Sequence, residues 1–194
     1  MKISSIKAVK SVSYRAVPVF TFLSTLLLSG CVAYSPLPVN YAPSSIKSAT
    51  GSLSIADFGY LPASASSTKR MFPNQIRNTA VGEFRIDRDV SVFVRDAVFA
   101  EFRTMGLKTN DTSKVLSGDI EEFLISDFGF SVDWTLRVKY TLTDSASKKI
   151  LYQAVKNTQR NTAKFANSFG ALNEIIKINS EQLVEDADFI QAIN

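Results

Sequence analysis

Histidine is absent from the chain, and cysteine occurs once, at Cys31. The lack of histidine removes the commonest general base and the commonest ligand of transition metals. It also removes the Ser-His and Cys-His pairs on which many nucleophilic hydrolases depend. A single cysteine permits no internal disulfide. Carboxylate-only catalysis and Ser-Lys pairs are still compatible with the composition, but no residue spacing in the sequence indicates either of them.

Net charge is also missing once the segment 1–30 is set aside. The whole chain has 22 Lys and Arg against 18 Asp and Glu, and the segment 1–30 holds four of the basic side chains and none of the acidic ones. The segment 31–194 therefore carries 18 charges of each sign and has a formal net charge of zero. The basic pI of the sequence gives no support for nucleic-acid binding, and we expect no nucleic-acid partner.

The segment 1–30 has the organisation of a signal peptide. Basic residues precede an apolar run, Ala16 to Leu28, that is too short and too interrupted to be a permanent membrane span. The sequence Leu28-Ser29-Gly30-Cys31 resembles the lipobox of bacterial lipoproteins. This resemblance implies cleavage between Gly30 and Cys31 and lipidation of Cys31. An ordinary secretory signal with a chance cysteine is the alternative.

The expected location follows from the lipid. Two or more acyl chains hold a protein firmly at a membrane, whereas one chain binds reversibly. By resemblance to sorted lipoproteins, the absence of Asp after Cys31 implies export to the outer membrane. We therefore expect a protein that is anchored to the outer membrane by lipid, with its domain facing the periplasm.

Composition divides the chain into three parts. Residues 1–30 are the predicted signal peptide, residues 31–50 the lipidated N-terminus with a flexible tether, and residues 51–194 a single domain. The predicted tether contains Pro36, Pro38 and Pro43 among scattered serines, a composition that stays extended and solvated. At about 3 Å per residue it would lift the domain a few tens of ångströms from the membrane.

Hydrophobic periodicity predicts the order β, α, β, β, β, α. Period-two alternation predicts strands over residues 51–58, 115–125, 131–143 and 150–160, with a β-bulge at Glu121-Glu122. Apolar spacing of three and four predicts a helix that ends at Gly106, whose charged residues, Glu101 among them, mostly face water. A second helix carries the stripe from Leu172 to Leu183, and Asp186 caps a final turn. The predicted fold is α+β, an antiparallel sheet of about four or five strands with two helices packed on one face.

The segment between the first strand and the first helix is the candidate binding region. Residues 59–84 are rich in Gly, Pro, Ser and Thr, and so long a connection is more often functional or mobile than accidental. From Lys69 to Arg88, basic and apolar residues are interleaved and could receive an anionic lipid, a glycan or a protein. The alternative is a solvated loop whose apolar side chains pack at the edge of the core. The candidate partner-binding residues are Lys69, Arg70, Phe72, Arg77, Arg85 and Arg88.

A group of carboxylates is the only candidate for acid-base or metal chemistry. Its members are Asp119, Glu121, Glu122, Asp127 and Asp133. They lack the spacing of a calcium loop, and on strands such residues more often form the solvated face. We expect no catalytic residue, metal or cofactor.

The layout of residues 51–194 resembles the periplasmic lipoproteins of the YajG kind, and it is similar to the auxiliary lipoproteins of ABC-type envelope lipid transporters. The resemblance rests on a helix ending in Met-Gly, a strand with Leu116, Gly118 and Ile120 in the pattern L-x-G-x-I, a three-strand meander and a C-terminal helix. It implies a non-catalytic binding or assembly module whose partner is an envelope protein or a lipid. The alternatives are a structural envelope lipoprotein and a carboxylate-dependent envelope hydrolase.

Overall fold

A computed structural model describes residues 35–64, 70–80, 83–164 and 167–194. The predicted signal peptide, the cleavage site at Gly30, the lipidation site Cys31 and the candidate residue Lys69 lie outside these ranges. Residues from Pro36 to Asn194 form one compact unit. Within the described ranges, no helix is both long enough and apolar enough to cross a membrane.

The described chain forms seven strands and four helices. The strands are β1 (Ser54–Ile55), β2 (Gly59–Tyr60), β3 (Gln75–Asn78), β4 (Glu83–Arg85), β5 (Lys114–Ser126), β6 (Ser131–Asp144) and β7 (Ile150–Ala163). The helices are α1 (Leu61–Ser64), α2 (Val90–Thr104), α3 (Ser168–Val184) and α4 (Ala187–Ile193). The α+β class is confirmed.

The centre of the sheet is the antiparallel meander β5-β6-β7. Six alternate residues of β6, from Val132 to Leu142, are buried, and the residues between them are half-buried or exposed. This is the period-two pattern of a strand with one face in the core. The register between β5 and β6 shifts between Ile120 and Glu122, so the predicted bulge is confirmed.

The opposite edge of β5 is covered by three short strands in succession. β1 pairs with Val115 and Leu116, β2 with Asp119 and Ile120, and β3 with Leu124 and Ile125. All three run parallel to β5, so the expectation of an antiparallel sheet is wrong at this edge. Pairing of this kind joins residues that are far apart in the chain, and local alternation does not encode it.

The predicted helices pack their apolar stripes into the core. In α2 the buried residues run from Val90 to Phe102, and Gly106, with a φ of +95°, follows the helix in the left-handed region that glycine tolerates. In α3 the whole predicted stripe is buried, and the Asp186 side chain accepts a hydrogen bond from the Asp188 N–H as the N-cap of α4. The helices and the strands share one hydrophobic core.

Residues 59–84 are not a continuous loop. They contain β2, α1, β3 and the start of β4, because Tyr60 and Ile76 are buried side chains that fix the segment to the sheet. The predicted strand over 51–58 is likewise shorter: Ser54–Ile55 pairs as β1, and Ser52 forms an isolated bridge with Lys108. At the other end of the chain β7 extends to Ala163, beyond the predicted end at residue 160.

Candidate binding surface

The β3–β4 hairpin holds most of the candidate residues. In its antiparallel pairing Gln75 lies opposite Arg85, and Arg77 lies opposite Glu83. Directly opposed residues share a face, so these four side chains lie together on one side. Ile76, which is fully buried, fixes the other side of the hairpin to the core. We call the four residues together with Phe72 the hairpin face.

Phe72 and Arg85 form the ordered centre of the hairpin face. The guanidinium carbon of Arg85 lies 3.7 Å from the centroid of the Phe72 ring, a cation–π contact. Arg85 Nη2 is also 2.6 Å from Glu83 Oε2. The backbone of Phe72 donates to Gln75 Oε1 at 3.2 Å and accepts from the Gln75 N–H at 3.0 Å. About half of the Phe72 side chain stays exposed, so this aromatic surface is held in place and remains open to a partner.

A groove of about 200 Å³ lies beside Arg77. Its lining residues are Pro62, Met71, Arg77, Glu121, Glu122, Phe123 and Arg137. Glu121 and Arg137 neutralise each other through an ion pair of 2.8 Å. No ion pair joins Arg77 to another described residue, and its side chain is exposed. The groove therefore combines apolar side chains and the paired charges of Glu121 and Arg137 with two further charged groups, the Arg77 guanidinium and the Glu122 carboxylate.

The remaining described candidates differ in their surroundings. Arg88 pairs with its neighbour Asp87 at 3.1 Å, and the hydrogen bond from Arg88 lowers the pKa of the Asp87 carboxyl. Arg70 is exposed at the end of the undescribed segment 65–69. The structure thus brings Phe72, Arg77 and Arg85 together, whereas Arg88 lies beyond the hairpin and is neutralised locally.

Residues 36–50, which we call the N-terminal strap, pack against the domain. The Leu37 N–H donates to the Arg85 carbonyl at 2.9 Å, and the Leu37 carbonyl accepts from the Asp87 N–H at 3.0 Å. Val39 is 2 % exposed. The expectation of a flexible tether through residue 50 is therefore wrong for this part of the chain, because its apolar and hydrogen-bonding groups have partners on the domain.

Glu101 of α2 holds the middle of the N-terminal strap. It is fully buried, and its Oε1 accepts from the Tyr41 hydroxyl at 2.6 Å and the Ser44 N–H at 3.0 Å. Its Oε2 accepts from the Ser45 N–H at 3.0 Å. Burial, followed by the hydrogen bond to Glu101, raises the pKa of Tyr41. The expectation that Glu101 faces water is wrong, since a buried carboxylate is tolerated where several donors surround it.

Further contacts fix the end of the N-terminal strap to α3. The Ser45 hydroxyl donates to Glu181 Oε1 at 2.6 Å, and Lys47 Nζ lies 2.6 Å from Glu185 Oε1. The sequence held one signal for this arrangement. Glu101 falls on the same helical stripe as Ala97 and Val98, at the spacing of three and four that marks the buried side of α2.

The carboxylates considered for catalysis are dispersed along the sheet. Glu121 pairs with Arg137, Asp127 pairs with Lys164 at 3.1 Å, and Asp133 accepts from the Asn161 amide at 2.6 Å. In the described ranges, no three Asp, Glu, His or Cys side chains are placed to hold a metal ion.

The fold is similar to those of known bacterial proteins. Protein XCC0632 from Xanthomonas campestris, of the family model DUF330, matches with a TM-score of 0.52 and 11% identity over 77% of this chain and 90% of that chain. The hypothetical protein CT253 from Chlamydia trachomatis matches with a TM-score of 0.51 and 8% identity over 74% of this chain and 99% of that one. A looser likeness, with a TM-score of 0.33 and 14% identity over 70% of this chain and 99% of the other, is to lipoprotein GNA1162 from Neisseria meningitidis.

Sequence comparison adds no family. No family model matches the chain, and no curated protein matches its sequence. At identities near 10% the likeness to XCC0632 and CT253 shows a shared fold and nothing about activity. The case for a function therefore depends on the N-terminal sequence, the N-terminal strap and the hairpin face.

Proposed function

We propose that this protein is a lipid-anchored cell-envelope lipoprotein that serves as a non-catalytic binding or accessory module at the outer membrane, with its domain in the periplasm. The observation that carries the proposal is the N-terminal strap. It makes the chain that follows the lipobox-like sequence part of the folded domain, through Leu37, Val39 and the buried Glu101.

The number of residues between Cys31 and the N-terminal strap limits the distance between the domain and the membrane. Only a short stretch separates Cys31 from Leu37, the first residue within the described ranges whose backbone pairs with the rest of the domain. Fully extended, about six residues span about 20 Å. A lipid on Cys31 would therefore keep the domain next to the bilayer, which suits a partner that is also at the membrane, such as an envelope complex or a lipid-transport system.

The hairpin face is the surface that we assign to the partner. An aromatic side chain held by an arginine, next to a groove that combines apolar side chains with the Arg77 guanidinium, matches the composition of interface centres, where aromatic residues and Arg are enriched. Because Arg85 is already engaged by Phe72 and Glu83, the positive charges free to meet a partner are those of Arg77 and Arg70.

Crosslinking in cells tests this assignment. A photoreactive amino acid is placed at Phe72 or Arg77, and at Gln153, an exposed position of β7, as the control. We expect one discrete protein or lipid to be captured from the first two positions and not from the control. The capture from position 72 should be lost in the double variant Arg70→Glu, Arg77→Glu. It should be kept in the double variant Lys148→Glu, Lys149→Glu, which reverses the same number of charges in the exposed turn before β7. Capture that survives the first double variant would rule out the hairpin face.

Lipid attachment at Cys31 is tested by a separate measurement. The Cys31→Ser variant should lose incorporation of labelled fatty acid and leave the membrane fraction, because two or more acyl chains are required for stable attachment. A Cys31→Ser protein that still fractionates with the membrane would contradict a lipid anchor at this residue.

A further inference from the structure

Two phenylalanines at the turn between β5 and β6 are exposed to solvent. Phe128 is 70% exposed and Phe130 is 99% exposed, on either side of Gly129. We call this pair the aromatic tip. Neither ring belongs to the hydrophobic core, although the apolar residues of β6 from Val132 to Leu142 and most of those of β5 do. Large apolar side chains left in water at the end of a sheet indicate a surface with an occupant.

The backbone that carries the aromatic tip is held in place. Gly129 has a φ of +84°, which allows the chain to reverse direction between the two rings. The Lys164 N–H donates to the Phe130 carbonyl at 3.3 Å, and Lys164 Nζ donates to the Gly129 carbonyl at 3.3 Å. Lys164 also pairs with Asp127 at 3.1 Å, so the charges directly behind the tip neutralise each other.

Strand directions place the aromatic tip at the end of the sheet toward which the chain runs when followed backwards from Leu37 to Pro36. β3 runs parallel to β5, β4 runs antiparallel to β3, and Leu37 bridges Ile86 in parallel beside the end of β4. Followed backwards from Leu37 to Pro36, the chain therefore runs beside β4 in the direction from Ile86 toward Glu83. That is the direction in which β5 runs toward Ser126 and the tip.

The distance from the level of Leu37 to the aromatic tip also matches the reach of the chain between Leu37 and Cys31. The pairings of Ile86 with the start of β3, and of β3 with β5, place Leu37 level with residues near Glu121. The stretch from Glu121 to Phe128, about seven residues, corresponds to about 23 Å of strand. The stretch from Leu37 back to Cys31, about six residues, corresponds to about 20 Å of extended chain. The chain is long enough for a lipid on Cys31 and the rings of the tip to meet the same plane.

We infer that the aromatic tip inserts into the phospholipid interface beside the lipid anchor, as a second membrane contact that fixes the orientation of the domain. The inference rests on the lipid anchor of the proposed function. A phospholipid surface fits because aromatic rings enter the boundary between headgroups and acyl chains, and the paired Asp127 and Lys164 bring no unbalanced charge with them.

Fluorescence of a single indole tests the inference in the full lipidated chain, reconstituted in vesicles of phosphatidylethanolamine and phosphatidylglycerol. Trp134, which is 3 % exposed, is first changed by Trp134→Phe. Phe130→Trp then places the reporter on the tip, and Phe128→Trp does so in a second protein. Ile150→Trp is the matched control, since Ile150 is 53% exposed at the opposite end of the meander.

Acyl chains brominated near the headgroup quench an indole that lies among them. We expect a blue shift and a loss of emission on bromination for the reporters at positions 130 and 128, and neither change at position 150. The inference would be overturned if chains that float with the vesicles showed, at positions 130 and 128, the emission of an indole in water and no quenching. That outcome would leave the anchor intact. A blue shift without quenching would also overturn it, because it would mean that protein, a second copy included, covers the tip. Chains that do not float with the vesicles would refute the anchor itself.

Discussion

Gly118 lies where the sheet has no room for a side chain. A Cβ at this position would lie 2.8 Å from Cε2 of Phe58, whose ring packs edge-on against Tyr140. The pattern Leu116-Gly118-Ile120 is visible in the sequence, but the reason for its glycine is a ring that belongs to a much earlier part of the chain. The apolar residues of the motif follow from alternation, and the glycine follows only from the tertiary contact.

Replacing Gly118 tests that contact. Gly118→Ala should lower the free energy of unfolding by about 1–3 kcal/mol, because the added methyl forces the Phe58 ring out of its position. Urea denaturation measures the change. In the double variant Gly118→Ala, Phe58→Leu, the loss in the free energy of unfolding should be smaller than the sum of the two single losses. The control Ser117→Ala, on the other face of β5, should change the free energy of unfolding little. A fully stable Gly118→Ala protein would show that the ring moves freely.

Asn179 shows a different limit of prediction at the residue scale. The sequence places it on the apolar stripe of α3, and it is fully buried there. The structure supplies the partners that make this tolerable. Its amide accepts from the Tyr140 hydroxyl at 2.8 Å and donates to Thr158 Oγ1 at 2.9 Å and to the Lys156 carbonyl at 3.1 Å. All these partners belong to the sheet, so no local sequence pattern in α3 predicts them.

Among the elements, α4 is attached to β7 by charge as well as by packing. Asp186 caps α4 and lies 2.6 Å from Lys156 Nζ of β7, and it accepts from the Tyr152 hydroxyl at 2.7 Å. The hydrogen bond from Lys156 is the main reason that the pKa of Asp186 falls from 3.8 to about 2. The sequence predicted the cap but could not predict the pair with Lys156, which lies on a different element.

The lowered pKa predicts a dependence of stability on pH. Above pH 3.8 Asp186 is charged in both the folded and the unfolded chain, so its stabilising effect is fully present. As the pH falls through 3.8 toward about 2, the unfolded chain takes up the proton first and the stabilisation is lost. Asp186→Asn keeps an N-cap side chain and should cost about 1–2 kcal/mol at pH 7, with the difference from the parent shrinking on acidification.

Urea titrations at several pH values check this expectation. In a Lys156→Gln background, Asp186→Asn should have a smaller effect, because the ion pair is already absent. A cost that is the same at every pH and in both backgrounds would show that packing, and not the charge, attaches α4 to β7.

At the scale of the whole molecule, the N-terminal strap makes residues 36–50, which follow the lipobox-like sequence, part of the fold. Glu101→Gln would present an amide group to donors from Tyr41, Ser44 and Ser45. We expect a loss of about 2–3 kcal/mol in the free energy of unfolding and faster proteolysis within residues 36–50. Glu174→Gln is the control, because it removes the same charge from a half-exposed pair with Arg160. Equal effects of the two substitutions would contradict a structural role for the buried carboxylate.

The sequence by itself determined the elements that depend on neighbouring residues. The alternation of β6, the bulge in β5, the stripes of α2 and α3 and the caps at Gly106 and Asp186 are written in spacings of two, three and four. These spacings fix which face of each element is buried, and so the α+β class.

Only the tertiary structure decided the contacts between distant segments. The parallel pairing of β1, β2 and β3 with β5, the hairpin that sets Arg77 beside its groove and the strap on Glu101 join parts of the chain that are far apart in sequence. The proline-rich composition of residues 36–50 predicts a free tether, but the buried Glu101 carboxylate of α2 binds backbone N–H groups of this stretch. Such partners are selected by packing the whole chain around one core, and no local window of the sequence contains both of them.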